Sequence, residues 1–175
     1  MKELFVKSFD NHLDIKKPLL EEFDLLDSSI AGLDKSDNDY ITKTDFNYKD
    51  KDSLKYQKIL KPLFVKHLLD LFKNRNCIDL QIINMWFQQY QQNDTHHWHT
   101  HINSHFSCVY FVELPDNSIK TEIESFYKKK QKINYKVKEG DILTFPSYLY
   151  HRSPPNISKQ RKTIVSFNLN LYWYK

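Results

Sequence analysis

Apolar residues recur at two different periods along the chain, and the period changes near residue 77. Ile15, Leu19, Leu20, Phe23 and Leu26 are spaced for one face of a helix over 11–26. Asn11 is its expected N-cap, and Pro18 falls early, where proline is better tolerated. A longer stripe of Leu60, Leu63, Phe64, His67, Leu68, Leu71 and Phe72 predicts a second helix over 54–75. Ser53 would cap it and Pro62 would kink or split it. Between the helices, residues 27–52 are polar and read as loop, with Tyr40 to Phe46 a short edge strand or an ordered lid. Residues 1–8 alternate and predict a strand.

From residue 78 the pattern becomes β-branched, aromatic and short-period. Strands are predicted over 78–87, 106–114, 119–123, 133–137, 142–145 and 163–173. Turn signals fall at Pro115–Ser118, Lys138–Asp141 and Pro146–Ser147. Helices followed by strands mean α+β, and short strands at this spacing suggest a sandwich or jelly roll with the helices buttressing one sheet. The expectation is one domain over 1–175. Residues 1–77 would be its mainly helical part and 78–175 its jelly-roll core.

Composition narrows the function classes. Apolar residues make up 40% and aromatics 15% of 175 residues, enough for a sizeable core. A net charge of +4 with signs mixed gives no strong nucleic-acid signal, and Lys128–Lys130 reads as a solvated loop tip. Cys77 and Cys108 form no metal or redox motif, which fits a reducing compartment. The first ten residues have no apolar core of a signal peptide, and no run reaches membrane-spanning length. A cytoplasmic protein is therefore expected. Gly32 and Gly140 are the only glycines, so no Gly-rich phosphate loop exists.

The chemistry concentrates in His96-His97-Trp98-His99-Thr100-His101-Ile102-Asn103-Ser104-His105, which holds five of the eight histidines. On an extended strand residues i and i+2 share a face, so His97, His99 and His101 are expected to look the same way. His151 is the only histidine after His105 and follows a predicted strand. In a jelly roll a late strand returns beside an early one, which would set His151 opposite His99 and His101. Three nitrogens on one face of an octahedron leave the other positions open, as non-haem iron oxygenases require. A structural zinc site would want four ligands, usually with cysteine. On the residues alone, a polar strand face or a polar binding pocket is the competing reading for His99 and His101. His67, His96, His97 and His105 read as core, surface or supporting groups.

Several motifs in order carry a family resemblance. Met85-Trp86-Phe87, His99-Thr100-His101, Phe106-Ser107-Cys108-Val109-Tyr110-Phe111, Glu139-Gly140-Asp141 through His151, and Ser166-Phe167-Asn168 resemble a family of bacterial and phage 2-oxoglutarate/iron(II)-dependent oxygenases. The resemblance covers roughly residues 80–172. It implies a double-stranded β-helix, Fe(II) and 2-oxoglutarate as cofactors, and hydroxylation of an unknown substrate, small molecule or protein. It implies His99, His101 and His151 as metal ligands. His101 stands where the wider superfamily has a carboxylate, which Glu113 or Asp116 could otherwise supply. Either Arg161 or Lys162 would anchor the 2-oxoglutarate carboxylate: an ungapped alignment selects Lys162, the broader Arg-x-Ser/Thr pattern Arg161. Tyr90 and Ser107 would donate hydrogen bonds to the cosubstrate. Trp86 and Trp98 read as core or pocket wall, and the loops at 27–52 and 124–132 would frame the mouth. The alternatives are a cupin-like three-histidine dioxygenase that does not use 2-oxoglutarate, and a non-catalytic jelly-roll binding module.

Overall fold

The computed structural model describes residues 4–73, 76–127 and 131–173. The expected loop tip at 128–130 lies outside them. The order of elements is β1 (Phe5–Ser8), α1 (His12–Leu25), β2 (Gly32–Lys35), β3 (Tyr40–Thr44), α2 (Lys55–Phe72), β4 (Cys77–Tyr90), β5 (His96–His99), β6 (Phe106–Glu113), β7 (Glu122–Ile123), β8 (Asp141–Pro146), β9 (His151–Ser153) and β10 (Lys162–Trp173). Two antiparallel sheets result. The larger runs β1-β8-β6-β10-β4-β3-β2 and the smaller β5-β9-β7. No helix among the described residues is long and apolar enough to cross a membrane.

The two faces of the large sheet do different work, and strand parity separates them. Met85 and Phe87 on β4, Cys108, Tyr110 and Val112 on β6, and Val165, Phe167 and Leu169 on β10 point toward the helices. There they meet Leu19, Phe23, Leu60, Phe64 and Leu68 in the main core. Phe64 stacks on Phe167 at 4.8 Å and Phe23 on Phe87 at 4.2 Å. The opposite face carries Tyr90, Val109, Phe111, Phe145 and Ile164 into a second, smaller core with Ile123 and Leu149. Polar residues interrupt that second face, which is where a site can form.

Local expectations need four corrections. Asn11 holds the N-cap position of α1 without a side-chain bond. Ser53 does not cap α2: its hydroxyl donates to Asp50 O, and Leu54 is the N-cap residue. The Tyr56 amide is satisfied instead by the Glu22 carboxylate from α1, at 2.7 Å, where a negative charge suits the helix dipole. Pro62 does not split α2, because the apolar stripe holds the helix against the sheet on both sides of it. No strand forms over 133–137, and Ile119 lies in a single 3₁₀ turn at Asn117–Ile119. Strand β7 is only two residues long and already pairs with β9, so it offers little edge for a further strand. Gly140 sits at φ +86°, where a Cβ would come within 2.8 Å of the His12 ring. That turn brings β8 back along β6.

Candidate metal centre

Three imidazoles from three places in the small sheet and its exit converge. His99 ends β5, His151 begins β9, and the two are paired across the strands. His101 lies just past β5, where its backbone N–H donates to Ser147 O at 2.9 Å. Ring centroids are 4.2 Å apart for His99 and His151, 5.0 Å for His99 and His101, and 5.1 Å for His101 and His151. One ligand nitrogen of each lies within 4.8 Å of the others.

Hydrogen bonds settle which nitrogen is free. His99 Nδ1 donates to His97 O at 2.8 Å and His151 Nδ1 to Leu149 O at 2.9 Å, so each keeps a lone pair on Nε2. His101 Nδ1 instead lies 3.4 Å from the Asn168 amide nitrogen, and the Asn168 oxygen accepts from Ser107 Oγ at 2.8 Å. A carboxamide can turn over to accept from a ring N–H, so this contact suits either tautomer. Burial lowers all three histidine pKa values, His101 to about 4 and His151 well below 6.5, with His99 as the next cause for both. The rings are thus neutral at pH 7 and ready to ligate. Three neutral nitrogen donors on one face suit a divalent first-row metal and leave room for further ligands, so the residues fit the iron that the sequence implies.

The expected common face of His97, His99 and His101 is not what forms. The pairing of β5 with β9 slips between His96 and His99. His96 therefore turns into the pocket and stacks on His99 at 4.2 Å, while His97 turns out to Asp39. His105 accepts from the Leu171 amide, away from the centre. Glu113 and Asp116 do not supply a carboxylate. Glu113 binds Arg161 and Thr163, and Asp116 caps the 3₁₀ turn at Ser118.

The pocket at the three histidines runs between the sheets. Trp86, Gln88 and Tyr90 from β4 line it, with Ile164, Ser166 and Asn168 from β10. Gln88 and Ser153 were not singled out in the sequence, where His96 read as a surface or supporting group and Asn168 as part of the Ser166-Phe167-Asn168 motif. For Gln88 the signal existed: it lies at period two between Trp86 and Tyr90. Behind the lining residues Tyr90 and Ser153, Lys162, completely buried, donates from Nζ to Ile119 O and Ser153 Oγ, both at 2.7 Å, and lies 5.0 Å over the Tyr90 ring. Burial pushes its pKa down to about 7, against an upward pull from Glu122. Among the described residues neither the buried Tyr90 hydroxyl, which lies beside Ser153, nor Trp86 Nε1 makes a hydrogen bond of normal geometry. Arg161 points the other way, held by Glu113 at 2.9 Å and Asp24 at 2.7 Å. Ser107 pairs with Asn168 behind His101, about six strand residues from Lys162 along β10. At the mouth, Phe46 packs against Trp86 at 5.3 Å, so the 27–52 segment does reach the rim. Trp98 packs beneath Arg152, which lines the pocket, and does not line it itself.

A family model described as "Putative 2OG-Fe(II) oxygenase" matches residues 84–168, from the middle of β4 to Asn168. Those residues are similar to the 2OG-Fe(II) oxygenase family. Fe(II) and 2-oxoglutarate, the cofactors expected from the sequence, are the ones this family is named for. Solved structures agree in fold. A 2OG-Fe(II) oxygenase family oxidoreductase from Burkholderia pseudomallei superposes with a TM-score of 0.72 at 7% identity, covering 96% of this chain and 85% of that one. A Pseudomonas putida prolyl-4-hydroxylase gives 0.59 at 11%, covering 99% and 94%. HygX from Streptomyces hygroscopicus, solved with nickel and 2-oxoglutarate bound, gives 0.64 at 10%, covering 99% and 84%. No curated protein matches the chain in sequence.

Proposed function

We propose that this chain is a 2-oxoglutarate-dependent Fe(II) dioxygenase that hydroxylates a C–H bond, and that its two sheets are the halves of a double-stranded β-helix. One observation carries the reading: a pocket with three neutral imidazoles is also lined by Tyr90 and Ser153, and directly behind those two lies the buried Lys162, with no carboxylate contact among the described residues. His99, His101 and His151 would hold the metal through ring nitrogens. Bound iron and 2-oxoglutarate supply the oxidising power, with the cosubstrate lost as succinate and carbon dioxide and one oxygen atom delivered to the substrate.

The chain's own residues do the positioning. Ser153, the partner of Lys162, lies two residues from His151 on β9, hence about 6.6 Å along the strand. That separation suits a five-carbon diacid held at the metal by its keto-acid end. The Lys162 ammonium would take the far carboxylate, and the Tyr90 hydroxyl would donate to the same group. Arg161, committed to two carboxylates on the opposite face, is not the anchor in this reading. The walls of Val109, Phe145 and Ile164 exclude water, which strengthens both contacts. Ser107 acts through Asn168 on His101 and not on the cosubstrate.

The test is anaerobic reconstitution with Fe(II), followed by carbon dioxide release from carboxyl-labelled 2-oxoglutarate in air. Release that disappears with His151→Ala and with Lys162→Met is expected. Iron binding without decarboxylation would favour the three-histidine dioxygenase that ignores 2-oxoglutarate, although that enzyme has no use for Lys162. Failure to bind iron at all would refute the enzyme reading.

A further inference from the structure

We propose that Asp39, His96 and His97 form a second metal site, for a divalent cation of the zinc, cobalt and nickel class, separate from the three-histidine centre. One donor atom of each lies within 4.8 Å of the others, and none of the three belongs to the first cluster. The slip in β5 pairing creates the site. It sends two consecutive histidines to different sides, with ring centroids 5.5 Å apart, and Asp39 approaches both.

The carboxylate is held in place by other contacts. Tyr40 and Thr95 exchange both backbone hydrogen bonds, at 3.0 and 2.9 Å, pinning the end of the 36–40 turn to the start of β5. Asp39 Oδ1 accepts from the His97 backbone N–H at 2.6 Å, and Oδ2 accepts from Ser36 Oγ at 3.1 Å. His97 Nδ1 lies 2.6 Å from Oδ2. These bonds from His97 outweigh the upward push of burial and hold the Asp39 carboxyl below its ordinary pKa, so it is ionised at pH 7. The His97 side chain is 48% exposed, which gives an ion a way in from solvent.

The donor set selects the class of ion. Two imidazoles and one carboxylate suit borderline metals, whereas calcium and magnesium want oxygen ligands. Tetrahedral ligands at about 2.0–2.1 Å from zinc stand about 3.3 Å apart. The cluster must therefore tighten by about an ångström overall while the His97–Asp39 contact opens. The cation would lie where the His97–Asp39 hydrogen bond now is. His96 touches His99, and His97 O accepts from the His99 ring, so the ion would lie at the rim of the first centre and clamp the segment that orients it.

Zinc titration of the metal-free full chain, with bound zinc counted after gel filtration, tests the proposal. The parent is expected to bind two equivalents. Asp39→Ala combined with His97→Ala should bind one, and His99→Ala combined with His151→Ala should also bind one. Asp39→Asn keeps an acceptor for the His97 amide but loses the ligand charge. It should weaken the second equivalent with an unchanged urea midpoint, which covers the case in which the double variant fails to fold. Substituting cobalt should give tetrahedral visible absorption that His97→Ala reduces. Two equivalents retained in the Asp39/His97 variant, or a single parental equivalent lost only with His99 and His151, would overturn the site. A single equivalent lost only with Asp39 and His97 would uphold it and count against the oxygenase centre instead.

Discussion

Replacing Lys162 with methionine should change the stability of the ligand-free protein little, or raise it, while destroying its grip on 2-oxoglutarate. The ammonium is wholly buried, and its hydrogen-bond partners are one carbonyl and one hydroxyl. Burial lowers its pKa from 10.5 to about 7. That difference corresponds to about 5 kcal/mol of stability withheld from the fold. Between these two values the unfolded chain holds more protons than the native one. Stability therefore rises with pH across that window, and the penalty is fully present below about pH 7. Methionine removes the penalty but leaves Ile119 O and Ser153 Oγ unpaired, at about 1–3 kcal/mol each. The balance runs from a loss of about 1 kcal/mol to a gain of about 3 kcal/mol at pH 7. Against this, a bound carboxylate that loses its buried cation should cost about 3–5 kcal/mol, or about two to four orders of magnitude in Kd. Because only the ammonium form binds, the parental Kd should rise about tenfold per pH unit above about pH 7. Calorimetric titration of 2-oxoglutarate into Mn(II)-loaded protein, paired with urea unfolding, reads both effects. Unchanged affinity in Lys162→Met, or a flat parental Kd from about pH 7 to pH 9, would refute this reasoning.

Arg161→Ala is the matched control: it breaks partly exposed pairs to Glu113 and Asp24, should cost about 1 kcal/mol or less in urea unfolding, and should leave the 2-oxoglutarate Kd unchanged. The metal-free protein should lose stability in mild acid. His96, His101 and His151 are neutral in the fold with pKa values below 6.5, so their stabilisation is present above that pH and drains away as pH falls toward about 4, at up to about 1.4 kcal/mol per pH unit for each. Urea midpoints that do not move between pH 7 and pH 5 would contradict this. Trp86→Phe removes an indole N–H that is buried without an acceptor among the described residues, so it should cost less than about 1 kcal/mol, whereas a truncation to alanine should cost about 3–5 kcal/mol. A loss as large as the alanine variant's would show that the indole donor is satisfied.

Much of the centre was legible from residues in one dimension. His99, His101 and His151 stand out by spacing, by motif order and by the isolation of His151, and the structure brings all three together. The period-two texture of β4 and β10 also shows which residues share a face. It cannot show which face lies inward. Arg161 and Lys162 are neighbours on opposite sides, and only the packing of the helices against Val165, Phe167 and Leu169 sends the even-numbered residues of β10 toward the pocket. That packing is a long-range fact, set by apolar stripes about a hundred residues away in α1 and α2.

The same limit explains the expectations that failed. Alternation alone made His97 a companion of His99, yet one slip in the pairing with β9 turns it out to Asp39 and turns His96 in. Ile133 to Val137 alternates like a strand, but the edge strand β7 beside it is only two residues long, and pairing stops at Ile133, whose N–H donates to Ile123 O. The sequence by itself determined the helices-then-strands order, the two periodicities and the identity of the three imidazoles, because side-chain spacing within one element is a local property of the backbone. Tertiary structure alone decided which cation is buried, which histidines leave the cluster and where Asp39 arrives. Those depend on register and on which face packs against the core, and neither is written in any single segment.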